Sequence, residues 1–300
     1  MVRIGVDIGG TKANIGLIDS AGSIVAKRKL LIPAMSGPRD VLSAVKDGVD
    51  RLLLESRLSY SDVEFCGVGV PGTVSADGRT AVKVPNLGWQ RVQIADMFEE
   101  LTGVFAGVIQ DSRAAAWGEY VAGAGAGKQA LICFTLGTGI GTGIVLDGSI
   151  YGGARGSAGE IGHNPAVENG RACGCGKRGC LEKYAAGIGL RLTASETFGR
   201  PVEPPELFDM AGSGDTAAAG IIADAVELLG RAIVSAVNLL SPDCVLLSGG
   251  LSEQAGLFAE PLIRYIGEHC YTTEDGGAPE IGMAKLGEDA PMVGAAAMDT

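Results

Sequence analysis

The stretch VRIGVDIGGTKANIGLI, residues 2–18, decides the fold. Apolar residues predict a strand over 3–8 and a second strand over 13–18, with a glycine–threonine turn between them. The turn is too short for a helix, so we expect the two strands to pair as an antiparallel hairpin. A third strand over 23–30 extends the hairpin into a meander.

The second half of the chain repeats this pattern of two strands joined by a glycine–threonine turn. Strands are predicted over 130–136 and 142–146, and the turn between them aligns Gly137-Thr138 with Gly10-Thr11. This internal similarity favours a duplicated α/β domain. The predicted organisation is a small N-terminal α/β domain over 1–110, joined by a C-terminal helix over 291–300, and a large C-terminal α/β domain over 111–290.

Composition excludes several classes of protein. Of 300 residues, 46% are hydrophobic and 20% are charged, which suits a sizeable core and argues against a disordered chain. The formal charge of −11 offers no electrostatic footprint for nucleic acid or for an anionic membrane. Asp7 interrupts the apolar N-terminus before a signal peptide could form, and seven cysteines without such a signal disfavour a disulfide framework. The expected protein is cytoplasmic, with no nucleic-acid or membrane partner.

Three glycine-rich turns could close around phosphate groups, because consecutive backbone N–H groups make anion-binding concavities. The first, over 7–12, adds a carboxylate for a solvated Mg²⁺ and a lysine. The second lies over 136–141, and the third, over 248–251, joins a strand to a helix. Any one alone is better explained as a tight turn without a ligand, but the three together favour a site for the phosphates and nucleoside of a nucleotide. Its candidate residues are Asp7, Gly9, Gly10, Thr11, Lys12, Gly137, Thr138, Gly139, Gly249 and Gly250.

A histidine and three cysteines stand at the spacing of a metal site. His163, Cys173, Cys175 and Cys180 are separated by glycines that would let a short loop wrap an ion. Three thiolates and one imidazole suit tetrahedral zinc, and four protein ligands leave no position for water, so the ion would be structural. A buried thiol cluster or a local disulfide is the alternative.

Four further polar residues are candidates for binding and catalysis. Glu160 and Glu182 flank the metal motif and could accept hydrogen bonds from a polyhydroxylated ligand, although each alone is more readily a solvated loop charge. Asp111 follows an apolar strand and precedes a helix, where a carboxylate can act as a general base or simply cap the helix. Asn86 is polar within an apolar loop and could equally form a turn.

Together these motifs resemble the ROK family (repressors, open reading frames and sugar kinases), and within it the bacterial glucokinase-type members. Residues 159–163, GEIGH, match the family's sugar and zinc motif, and residues 173–182, CGCGKRGCLE, match its cysteine motif. Residues 7–12, 136–143 and 247–251 look like its two phosphate motifs and its adenosine motif. The resemblance covers nearly the whole chain.

The resemblance implies two ribonuclease H-like domains, as in actin and hexokinase, with a ligand cleft between them and a zinc loop over 163–180. It implies an ATP-dependent hexose kinase that phosphorylates the sugar 6-hydroxyl, with glucose as the expected acceptor. Asp111 would take the proton from that hydroxyl, and His163 would bind zinc through one ring nitrogen and face the sugar with the other. Mg²⁺ would accompany ATP, and the chains would form a homodimer or homotetramer. The sugar would be held by Asn86, Gln110, Asp111, Glu160, His163 and Glu182.

One segment departs from the family pattern. Family kinases usually read Asn-Asp-x-Asn around the catalytic aspartate, whereas residues 110–113 read Gln-Asp-Ser-Arg. Gln110 and Arg113 would border the sugar, so a kinase for N-acetylmannosamine, fructose or another hexose is the alternative within the class. A sugar-responsive transcriptional repressor would carry its DNA-binding segment before the first phosphate motif, where the start at Asp7 leaves no room. A catalytically inactive sugar-binding protein is disfavoured because Asp111 is retained.

Overall fold

A computed structural model describes residues 1–32, 37–272 and 277–298. Over these residues the chain alternates strands and helices in a mixed α/β fold. The strands are Val2–Ile8 (β1), Lys12–Ile18 (β2), Ile24–Leu31 (β3), Val63–Val70 (β4), Thr73–Val74 (β5), Ala81–Val84 (β6), Trp89–Val92 (β7), Ala106–Gln110 (β8), Ala130–Leu136 (β9), Ile140–Leu146 (β10), Ser149–Ile150 (β11), Cys244–Ser248 (β12) and Glu280–Met283 (β13). The α-helices are Pro38–Glu55 (α1), Ile94–Thr102 (α2), Asp111–Ala122 (α3), Glu182–Ala185 (α4), Gly187–Phe198 (α5), Pro204–Gly212 (α6), Thr216–Leu240 (α7), Glu260–His269 (α8) and Ala290–Ala296 (α9).

The chain forms two compact units. Unit 1 consists of Met1–Gly127, Gly143–Ala158 and Lys285–Thr300, and unit 2 consists of Lys128–Thr142 and Gly159–Ala284. The first division follows Gly127, whereas the sequence predicted it after residue 110, because α3 packs against α9 within unit 1. Of the helix predicted over 291–300, the last two residues lie outside the described ranges.

Unit 1 is built on a five-stranded sheet in the order β3-β2-β1-β4-β8. Strands β1 and β2 pair antiparallel, with Asp7 opposite Asn14, which confirms the predicted hairpin. Strands β4 and β8 follow as parallel strands, so the carboxyl ends of β1, β4 and β8 meet at one edge of the sheet. Helix α1 packs on this sheet through apolar residues at helical spacing: Val41, Leu42, Val45, Val49, Leu52 and Leu53.

A second five-stranded sheet has the order β11-β10-β9-β12-β13. Counted along the chain, this order matches that of the first sheet: third, second, first, fourth and fifth strand. Strand β12 is buried at every position and lies parallel to both β9 and β13. The two hairpins that are similar in sequence therefore belong to two sheets with the same strand order.

A small third sheet, with the order β5-β6-β7, was not predicted from the sequence. Its strands have two to four residues, too few for an alternating pattern to be recognised. A single turn of 3₁₀ helix, Pro85–Leu87, connects β6 to β7. This turn carries Asn86, so the sheet positions one of the predicted site residues.

Glycines let helix α9 lie directly on the sheet of unit 1. A Cβ atom on Gly5 would lie 2.0 Å from the carbonyl oxygen of Met292, and one on Gly294 would lie 1.8 Å from that of Ala114 in α3. No other residue permits such close contact between backbones. Much of the chain's glycine therefore serves packing as well as turns.

The longest helix, α7, begins after a capping aspartate. The Asp215 side chain accepts hydrogen bonds from the N–H groups of Ala217 and Ala218, at 2.9 and 3.0 Å, so Asp215 is the N-cap. The helix ends at Ser241, whose left-handed backbone (φ 46°) precedes Pro242. Within the described ranges, no helix combines the length and the apolar character needed to cross a bilayer.

Candidate active site

The first glycine turn lies at the carboxyl end of β1. The Asp7 carboxylate there is hydrogen-bonded to the side chain of Asn14, its partner across the hairpin. Burial raises the pKa of Asp7 to about 6, although Asn14 and the charge of Lys12 favour the ionised form. The N–H of Gly9 donates to the carbonyl oxygen of Lys12 at 2.8 Å and closes the turn. The turn thus combines backbone donors with a carboxylate and an ammonium group.

Two predicted residues from different motifs are neighbours in unit 1. A Cβ atom on Gly10 would lie 3.6 Å from the Cβ of Asn86. The buried side chains of Leu87 and Trp89 anchor the turn that carries Asn86, while Asn86 itself is exposed. The first glycine turn and this exposed amide therefore belong to one surface.

Asp111 stands at the same sheet edge as Asp7. It is the first residue of α3, directly after β8, and Gln110 occupies the N-cap position without a side-chain capping bond. Its Oδ1 accepts the N–H of Ser112 at 2.7 Å, whereas a capping side chain reaches the second or third helical N–H. Strand β4 separates β1 from β8, so the two strand ends are about 10 Å apart.

Arg113 has a structural use that the sequence did not predict. Its side chain is buried and donates to the carbonyl oxygens of Gly156 and Ala158, at 2.8 and 3.1 Å. The guanidinium therefore holds the segment that leads to Glu160. Of the two departures from the family pattern, Gln110 stays the predicted determinant of sugar specificity, and it lies at the N-cap position of α3.

In unit 2 the second and third glycine turns are bound to each other. The N–H of Leu251 donates to the carbonyl oxygen of Leu136 at 3.0 Å, and Gly249 adopts a φ of 90°. A Cβ atom on Gly249 would lie 2.6 Å from the same carbonyl oxygen, so this close approach requires glycine. The start of α5 closes the second turn, because the N–H of Gly187 donates to the carbonyl oxygen of Gly137 at 2.9 Å.

Both turns line one cavity of about 520 Å³ within unit 2. This volume is in the range of small-molecule sites. An ion pair between Arg191 and Glu203, 3.8 Å apart, contributes to its lining. The remaining residues are Gly137, Thr138, Gly187, Ile188, Pro204, Pro205, Phe208, Gly250, Leu251 and Gln254. The residues from α5 and α6 were not predicted, since they meet the glycine turns only through tertiary packing.

The predicted metal ligands converge. The ligand atoms of His163, Cys173, Cys175 and Cys180 all lie within 4.8 Å of one another. Cys173 Sγ is 3.7 Å from His163 Nδ1, and the Sγ atoms of Cys175 and Cys180 are 3.5 Å apart. Tetrahedral zinc–sulfur bonds of about 2.3 Å would set sulfur atoms about 3.8 Å apart, so the group fits zinc. All seven cysteines are free thiols, so the alternative of a local disulfide is wrong.

Two carboxylates flank the metal group, as predicted. His163 Nε2 is 3.9 Å from Glu160 Oε2, and Nδ1 of the same ring is 3.8 Å from Glu182 Oε1. Cys173 Sγ lies 3.1 Å from that oxygen of Glu182. A Cβ atom on Gly139 would lie 3.2 Å from the second oxygen, Oε2. Glu182 therefore connects the metal group to the second glycine turn.

Comparison with known proteins identifies the relatives of this chain. A sequence model of the ROK family matches residues 3–299. A glucokinase of Halalkalibacterium halodurans is 32% identical over 97% of this chain and 92% of its own length, and an N-acetylmannosamine kinase of Vibrio cholerae is 29% identical over 85% and 86%. The crystal structure of a ROK family glucokinase from Streptomyces griseus, in complex with glucose and AMPPNP, superposes with a TM-score of 0.83. That structure is 31% identical, over 99% of this chain and 98% of the other. With its motifs, its fold and these matches in agreement, the chain belongs to the ROK family.

Proposed function

We propose that this protein is an ATP-dependent hexose kinase that phosphorylates the 6-hydroxyl of glucose. The observation that carries the proposal is the position of Glu182. Its carboxylate lies between the His163 and cysteine group and the glycine turn that lines the cavity. The unit 2 residues of the proposed acceptor site thus adjoin the unit 2 residues of the proposed donor site. Glucose and a nucleotide analogue bound to the Streptomyces griseus relative support the same pair of ligands.

The proposed architecture is a pair of ribonuclease H-like domains with the ligands in a cleft between them. The equal strand order of the two sheets supports this duplication. In this scheme Asp111 accepts the proton of the sugar hydroxyl as the phosphorus–oxygen bond forms. Asn86, Gln110, Glu160, His163 and Glu182 hold the other hydroxyl groups.

The donor proposed for the cavity is a nucleoside triphosphate. Ile188, Pro204, Pro205, Phe208 and Leu251 give the cavity an apolar lining that suits a base, whereas polyphosphate has no apolar part to bury. The glycine turns would bind the phosphates, together with Lys12. Asp7 would hold Mg²⁺ through water, and the ion would neutralise charge on the transferred phosphoryl group.

The proposed role of zinc is structural. His163 Nδ1 and the three cysteine sulfurs would hold the ion and leave Nε2 facing Glu160. The fixed ring would then orient an acceptor hydroxyl. Thiolate ligands must stay reduced, which agrees with the cytoplasmic location that we propose. We also propose a homodimer or homotetramer, as the family resemblance implies.

A coupled assay with MgATP over a panel of hexoses and N-acetylhexosamines tests the proposal. We expect glucose to give the highest kcat/KM and polyphosphate to replace ATP poorly. A preference for N-acetylmannosamine or fructose would support the alternative that the change at Gln110 suggests. The absence of sugar-dependent ADP release across the whole panel would reject a sugar kinase.

A further inference from the structure

Helix α3 carries a buried carboxylate that the proposed mechanism does not use. Glu119 has no exposed surface. Its Oε2 accepts the N–H groups of Ala124 and Lys285, at 2.8 and 3.0 Å, and its Oε1 accepts the N–H of Leu286 at 2.6 Å. Hydrogen bonds to a charged acceptor are roughly twice as strong as neutral ones. Three backbone donors from two separate segments therefore converge on this side chain.

These two segments are connections between the units. Ala124 stands just before Gly127, after which the chain passes into unit 2. Lys285 is the first residue after the chain returns to unit 1. The Glu119 carboxylate thus joins the first and the last connection to one point of α3.

The same helix also contacts the two other connections. Gly143, the first residue of the middle segment of unit 1, packs so closely on α3 that a Cβ atom would lie 2.3 Å from the Cβ of Ala116. Ala158, the last residue of that segment, accepts a hydrogen bond from Arg113. All four points at which the chain leaves or enters unit 1 are therefore held by α3.

We infer that Glu119 is a positioning residue for phosphoryl transfer, an inference that rests on the proposed function. Helix α3 begins with Asp111, and the segments bound to Glu119 lead into the unit that carries Glu160 and Glu182. The carboxylate ties the start of these segments to the helix that presents the base. Placement of this kind governs rate, since an error of about 1 Å can cost about 10²-fold.

Glu119→Gln is the sharpest variant, because it keeps the size of the side chain and removes one acceptor oxygen. If the NH₂ group replaces Oε1, the N–H of Leu286 loses its acceptor, and if it replaces Oε2, the N–H groups of Ala124 and Lys285 lose theirs. We expect kcat to fall about 10- to 100-fold. Affinity for AMPPNP, measured by calorimetry, should change by less than about twofold, since the cavity lies within unit 2.

A double-mutant cycle with Asp111→Asn supplies a readout that a purely structural role would not move. If Glu119 acts by placing Asp111, Glu119→Gln should lower kcat little further in the Asp111→Asn background. Wild-type kcat in Glu119→Gln, or an equal loss in both backgrounds, would overturn the inference. Asp215→Ala is the matched control, since it also removes a carboxylate that accepts two backbone N–H groups, and it should leave kcat unchanged.

Ala124→Pro tests the same bond from the donor side if Glu119→Gln does not fold, because proline has no N–H to donate. The same coupled loss of kcat is expected, and a wild-type kcat would contradict the inference. A wild-type protein without sugar kinase activity would reject the proposed function and this inference together. If the wild type is active and Glu119→Gln has the same kcat, the inference is rejected and the proposed function is not.

Discussion

The partly buried carboxylate of Asp111 stands at the start of α3, and replacing one of its oxygen atoms by an amide nitrogen tests whether it is the general base. Asp111→Asn keeps the shape and the ability to accept the N–H of Ser112 but removes the base. Loss of a general base typically costs about 10²–10⁴-fold, so kcat should fall by this factor while sugar affinity by calorimetry changes little.

Asp40→Asn is the control for Asp111, because Asp40 is likewise an aspartate in the first turn of a helix, α1. It should retain wild-type kcat. If Asp111→Asn kept more than about a tenth of kcat, the base would lie elsewhere and Asp111 would only orient the helix.

Ionised Asp7 is predicted to destabilise the folded protein at neutral pH. Its pKa of about 6 exceeds the value of an unfolded aspartate, about 3.9, so the folded chain binds the proton more tightly. The contribution of Asp7 to the free energy of unfolding is therefore greatest below about pH 4, decreases as the pH rises to about 6, and stays low above it. Asp7→Asn should raise the free energy of unfolding at pH 7 by up to about 3 kcal/mol.

Denaturant unfolding of Asp7→Asn between pH 4 and 8 checks this prediction. The gain over the wild type should shrink toward pH 4, and kinase activity should be lost at every pH. Asp19→Asn is the control, since Asp19 is only partly buried and accepts the N–H groups of Ala21 and Ser23 in the next turn. A variant at Asp7 that is less stable than the wild type at pH 7 would contradict the prediction.

Among the elements, the loop over 163–180 depends on its metal. Cys175→Ser should release zinc, loosen the loop and raise the sugar KM, because Glu160 and Glu182 flank the ligands. Elemental analysis should find about one zinc per chain in the wild type and much less in the variant. Cys270→Ser, at the end of α8, should keep its zinc. Metal-free wild-type protein with normal activity would refute the role of zinc.

Contact between α3 and α9 depends on the absence of a side chain at Gly294. Gly294→Ala would place its Cβ against the carbonyl oxygen of Ala114 and should destabilise the fold by about 1–3 kcal/mol in denaturant unfolding. Gly267→Ala is the control: it lies within α8 with open space around it, and it should stabilise by up to about 1 kcal/mol. Equal stabilities of the two variants would show that the helices can separate without cost.

Local elements were predicted well from the sequence. The metal group was recognised because its four ligands lie close together in the chain, and the hairpin of β1 and β2 because both of its strands are apolar and adjacent. Arg191 and Phe208 were missed, since only the packing of α5 and α6 brings them to the glycine turns. The hydrogen bond from the N–H of Lys285 to Glu119 joins distant parts of the chain, so no local sequence pattern indicates it.

For the whole molecule, the internal similarity of two short hairpins predicted a duplication, and the equal strand order of the two sheets agrees with it. The limits of the units could not be read in the same way. Unit 1 takes three separate pieces of the chain, and a composition profile along the sequence does not indicate which pieces pack together.

Because α9 packs closely on the sheet of unit 1, the core of this unit cannot be completed until α9 has been synthesised. Met292 and Val293 bury against Ile18, so the core around β2 is completed by residues that are translated only after residues 159–284. A ribosome adding about 10 residues per second needs roughly 10 s to make residues 159–284 before these residues emerge. Until then the side of β1 at Gly5, which α9 covers in the folded chain, stays exposed, and a chaperone that covers it would favour correct folding.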